Sequence, residues 1–122
     1  MAYDPNNIFA KILRGEIPCK KLFENEHVLA FHDIHPQAPV HVLVIPKGPY
    51  KDMNDFCVNA GAAEQAALMT GLRTAAEKSG VLETGYRVIA NTGADSRQDV
   101  PHLHFHVIGG RRLRGGLVAP PE

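Results

Sequence analysis

The chain has no tryptophan, only two cysteines, no excess of either charge and no apolar stretch long enough to span a bilayer. Each shortage removes a class of protein. Cys19 and Cys57 lie far apart and form no C-x-x-C, which argues against a disulfide framework or a thioredoxin-like pair and fits a reducing compartment. With 13 basic and 13 acidic residues the formal net charge is zero, so no global field draws the chain to nucleic acid or to an anionic membrane. Recognition of a phosphate has to be local. The start of the chain, with Asp4 and Pro5, shows no apolar segment of the signal-peptide kind. The expectation is a cytoplasmic protein with neither a membrane nor a nucleic acid as partner.

What is present suits one globular domain: 122 residues, 44% hydrophobic and 21% charged. A domain of that size buries about two-thirds of its unfolded surface, so it builds a core without a structural metal. Asn6 or Asn7 can cap a short helix carrying Ile8, Phe9, Ile12 and Leu13, with Gly15 placed to end it. Residues 21–24 and 27–33 read as short strands about an Asn25-Glu26 turn, and the apolar run 40–45, between Pro39 and Pro46, reads as a strand buried on both faces. A loop follows around 47–55. The main helix is expected over 60–79, with Leu68, Leu72, Ala75 and Ala76 on one face and Gly80 beyond it. Strands at 86–91 and 100–108, separated by a polar loop at 92–99, complete an α+β pattern with an antiparallel sheet of about five strands. Composition changes only after Gly110, giving a domain over 1–110 and a tail over 111–122, whose Arg111, Arg112 and Arg114 read as a solvated end.

The informative segment is Pro101-His102-Leu103-His104-Phe105-His106-Val107-Ile108. On a strand, side chains two apart share a face, so the histidines form a row at steps of roughly 6 to 7 Å while the apolar residues face the core. An accidental polar face and a zinc site compete with catalysis here. Three imidazoles with an open fourth position describe catalytic zinc, but alternate residues of a flat strand diverge instead of converging on one ion. A nucleophilic role uses the row better. One ring nitrogen of a neutral imidazole attacks phosphorus while the other is held as N–H, and neighbouring histidines stabilise the phosphoryl oxygens. The phosphorus–imidazole bond is then readily hydrolysed, splitting one slow displacement into two faster ones.

The alternation of three histidines with apolar residues resembles the signature of the histidine triad family. The likeness extends through Asn7-Ile8-Phe9, Phe31-His32-Asp33-Ile34, Pro36-Gln37-Ala38-Pro39, His41, Val44-Ile45-Pro46-Lys47, Gly85-Tyr86-Arg87, Asn91 and Gly109-Gly110-Arg111. It is similar to the purine nucleoside phosphoramidase branch more than to the dinucleoside polyphosphate hydrolases. The resemblance implies that His104 is the nucleophile that becomes nucleotidylated, that His106 contacts the α-phosphate, and that His102 and His41 support them. It places Asn91, Gln98, Asp99, His104 and His106 around the phosphate, Asp33 on the ribose, and Ile8, Phe9, Ile12, Phe31, His32 and Ile34 around the purine. It implies no cofactor, no metal, a homodimer and a purine nucleotide or nucleoside phosphoramidate as partner. A purine-mononucleotide sensor with little catalysis and a zinc-dependent hydrolase are the rival readings. Arg97 and Asp99 depart from the pattern, since some relatives carry a glycine and a serine there. An ionised Asp99 cannot donate a hydrogen bond and repels a phosphate, but it can accept from a leaving amine.

Overall fold

The structure, a computed structural model, describes residues 2–120; the last two positions of the expected tail lie outside the described residues. In chain order the elements are α1 (Ile8–Leu13), β1 (Lys21–Glu24), β2 (Val28–His32), β3 (Val40–Pro46), α2 (Met53–Asn59), α3 (Ala62–Lys78), β4 (Tyr86–Ile89) and β5 (Phe105–Gly109). The five strands form one antiparallel sheet in the order β1-β2-β3-β5-β4. The α+β expectation therefore holds, with a third helix added.

Period-two alternation gives the sheet two different faces. Val42, Val44, Leu103, Phe105 and Val107 point to the side covered by α3, where Leu68, Leu72, Ala75 and Ala76 complete the larger core. Gly71 brings that helix close: a Cβ there would meet Val28 Cγ1 at 3.2 Å. The opposite face carries Leu29, Phe31, Leu43 and Ile45, closed by Phe9 from α1. That helix is started by Asn7, whose Oδ1 accepts from the Ala10 N–H at 2.9 Å. The histidines lie on this second face.

Three elements differ from the sequence expectation. Helix α2 stands where a loop was expected, because Asp52 caps it through the Asp55 N–H at 2.8 Å while only Phe56 is buried, leaving no apolar period to read. Strand β4 stops at Ile89, short of Asn91. Strand β5 begins at Phe105, not at residue 100. The β3–β5 register pairs Val44 with Phe105, and continuing it would set Leu103 opposite Pro46, which has no N–H to offer the ladder. The Leu103 N–H turns to the Tyr50 carbonyl instead, at 2.8 Å.

Candidate active site

Because His102 and His104 precede the ladder, their orientation depends on side-chain bonds. His102 is fully buried, with Nε2 2.9 Å from the Pro46 carbonyl and Nδ1 2.6 Å from the Tyr3 hydroxyl. A carbonyl only accepts, so Nε2 carries the hydrogen and Nδ1 accepts from Tyr3. A neutral, doubly bonded ring results. Burial pushes its pKa down to about 4, the Pro46 carbonyl opposes this, and repulsion from His104 adds to it.

His104 is held by the main chain. Its Nδ1 donates to the His102 carbonyl at 2.8 Å, which leaves Nε2 with its lone pair. The ring of Phe9 meets it edge-on at 5.0 Å and the ring of His106 at 5.3 Å, so the imidazole cannot turn freely. The Oδ1 of Asp99 lies 3.5 Å from Nε2, on a side chain that is 82% exposed. Nε2 of this buried ring thus lies beside an exposed carboxylate.

His106 is governed by His41 from the neighbouring strand. The Gln37 N–H donates to His41 Nδ1 at 3.0 Å, so His41 Nε2 carries the hydrogen and donates to His106 Nδ1 at 2.8 Å. His106 Nε2 is then the N–H nitrogen. A backbone amide at residue 37 therefore sets, through two rings, a donor beside His104. Asp33 Oδ2 lies 3.4 Å from His41 Nε2. Burial pushes His106 down to about 4, with repulsion from His104 and His41 adding and the carboxylates of Asp33 and Asp99 opposing. His41 is lowered by burial, against the pull of Asp33.

Asp33, His41 and His106 also bring one donor atom each within 4.8 Å of one another. The set does not fit a divalent ion. A ligating imidazole presents a lone pair, and the Gln37 N–H on Nδ1 turns the N–H of His41 toward the centre of the group.

A family model described as the HIT domain matches residues 14–113. The chain belongs to the histidine triad family. It is 61% identical over 111 residues to a 13.2 kDa HIT-like protein of Azospirillum brasilense, covering 91% of each chain. Among solved structures it is similar to a HIT family hydrolase from Clostridium thermocellum, with TM-score 0.84, 37% identity, and 93% of this chain and 96% of that one covered. It is also similar to a histidine triad nucleotide-binding protein from Candida albicans, with TM-score 0.81, 31% identity, and 96% and 86% covered.

In this histidine triad chain the other expected site residues divide into groups. His32 and Asp33 line a cleft of about 420 Å³ with Lys20, Lys21 and His41, and Asp33 Oδ1 accepts from the His35 N–H at 2.8 Å. Phe9 and Phe31 meet edge-on at 5.7 Å, and Ile12 packs against the cluster they form while also lining a depression of about 380 Å³ with Cys19. Ile8 and Ile34 are exposed.

Two polar residues expected at the phosphate are engaged elsewhere. Asn91 Nδ2 donates to the Ser96 carbonyl and hydroxyl at 2.9 and 3.1 Å. Gln98 Nε2 donates to the carbonyls of Lys51 and Val100 at 2.7 and 3.0 Å, and its Oε1 accepts from the Gly93 N–H at 3.0 Å. In this conformation their amides shape the loop and leave no free donor on Gln98. Sequence reasoning missed Tyr3, the Gln37 amide and the Pro46 carbonyl. The last two are main-chain groups, to which side-chain identity gives no clue, and Tyr3 lies 99 residues from its partner.

Proposed function

We propose that the chain hydrolyses a purine nucleotide at its α-phosphorus, releasing an amine or related group from an adenosine 5′-phosphoramidate type of substrate. The observation that supports it is the tautomer of His104: Nδ1 bonded to the His102 carbonyl at 2.8 Å, Nε2 bearing a lone pair beside the exposed Asp99. Nε2 attacks phosphorus, the bond to the leaving nitrogen breaks, and that nitrogen takes a proton from water. His106 Nε2–H stabilises a phosphoryl oxygen. Water then attacks phosphorus, the bond from phosphorus to Nε2 breaks with its electron pair returning to Nε2, the water's proton passes to solvent, and His104 is returned neutral, its Nδ1–H retained throughout. No metal enters the scheme.

Asp33 accepts from the ribose in this reading, beside the cleft it lines with His32 and His41. The assembly is a homodimer, since β4 is an edge strand with Tyr86 and Val88 exposed. No described helix is long and apolar enough to cross a membrane, and the cytoplasm is the proposed location. The deciding experiment is intact-protein mass spectrometry after alkaline quenching during turnover of adenosine 5′-phosphoramidate. One nucleotidyl unit should appear on the protein and be absent from His104→Gly. Turnover that persists in that variant refutes the proposal.

A further inference from the structure

Resting on that hydrolase reading, we propose that Asp99 selects the leaving group by charge, favouring amines that carry a further positive charge and disfavouring anionic ones. The groups around His104 Nε2 are not equivalent. His106 lies on one flank, its N–H directed outward by the His41 bond at 2.8 Å, and Phe9 closes another with its ring edge at 5.0 Å. Asp99 Oδ1 lies 3.5 Å from Nε2, on a side chain that is 82% exposed. A phosphorus bonded to Nε2 sits within reach of that carboxylate.

A phosphoryl group carries negative charge on its non-bridging oxygens. These are drawn to the His106 donor and repelled from Asp99. The leaving group is therefore the part of the substrate turned toward the carboxylate. When the bond from phosphorus to nitrogen breaks, its electron pair stays on nitrogen, which takes one proton from water to leave as the amine and a second from solvent to become an ammonium. Asp99 attracts that ammonium and any further cation on it, while a carboxylate or polyphosphate leaving group meets repulsion. The loop is placed for this by Gln98, whose Nε2 holds the Lys51 carbonyl at 2.7 Å beside Asp99 in the chain.

The test uses the full chain and three adenosine phosphoramidates of equal length, made from butylamine, 1,4-diaminobutane and 4-aminobutyrate. The wild type should rank the diamine about five-fold above butylamine and the aminobutyrate about five-fold below it in kcat/KM, as unit charges about 5 Å apart at a solvent-facing site imply. Asp99→Asn should compress the ranking to within about two-fold, and Asp99→Lys should invert it. Comparing each variant with the wild type cancels the intrinsic leaving ability of the amines. Strong salt should compress the wild-type ranking as well. An unaltered ranking in both variants overturns the inference while the hydrolase reading stands. Failure of the wild type to turn over any of the three overturns both.

Discussion

The carbonyl oxygen of His102 accepts the Nδ1–H of His104 at 2.8 Å, so the residue two places upstream orients the His104 ring through its main chain. The imidazole of His102 is turned away, bonded to Pro46 and Tyr3. The two functions of His102 are separable: its backbone fixes a tautomer, and its side chain fixes the backbone by tying a segment outside the ladder to the end of β3.

His104→Gly should lower kcat by at least about a thousandfold, because the proposed covalent route disappears with the nucleophile. Nucleotide affinity should change by less than about three-fold, since the cleft beside Asp33 and His32 is built from other elements. Single-turnover kinetics and calorimetric Kd values separate the two effects. A parallel loss of both would mean that His104 serves binding.

Tyr3→Phe should destabilise the fold by about 1–2 kcal/mol, as it strips a buried His102 nitrogen of its donor. His102→Ala should cost about 3 kcal/mol or more, because it opens a cavity and leaves the Pro46 carbonyl unpaired. In Tyr3→Phe, kcat should stay within about three-fold of wild type, the His102 carbonyl being untouched. Urea unfolding read beside turnover checks both; an intact stability would place Tyr3 outside the support of the row.

The alternation at 102–108 was legible in sequence because one period governs both the strand and its extension: Leu103, Phe105 and Val107 pack under α3 while His102 and His104 face Phe9. The length of the strand was not legible, since it ends where Pro46 withholds an N–H from a partner 57 residues away in the chain, a tertiary fact. Helix α2 escaped for a different reason. It buries only Phe56, so its signal was the Asp52 cap, which also reads as a loop residue. For Gln98 and Asn91 the residue types suit a phosphate and a loop equally, and only coordinates show which carbonyls their amides meet.

Gly110→Ala should destabilise by about 2 kcal/mol. The backbone there has φ 91, outside the range open to alanine without strain, and a Cβ would stand 3.0 Å from Pro39 Cβ and 3.2 Å from the Val40 nitrogen. Those atoms open β3 immediately before His41, so the shift should also reduce kcat. Thermal unfolding and activity measured on one preparation test it, and an unchanged Tm would contradict the close approach.

Acid should weaken this fold before its carboxylates titrate. An unfolded histidine titrates near 6.5, whereas His102 and His106 are each held down to about 4 by burial. Between those values the unfolded chain binds protons that the folded chain refuses, so stability falls as pH is lowered from about 6.5 to about 4 and is fully present above that window. His41, lowered by burial, acts in the same direction. For fully buried His102 alone the loss amounts to about 3 kcal/mol across the window. Glu24, held down to about 2 by Lys21 and Lys47, acts only as pH falls from the ordinary carboxylate value toward 2, so it adds nothing above about pH 5. Urea midpoints at pH 7, 5.5 and 4.5 should decline steadily in the wild type and decline less in a His106→Asn variant. A flat profile would mean that these rings are not held neutral.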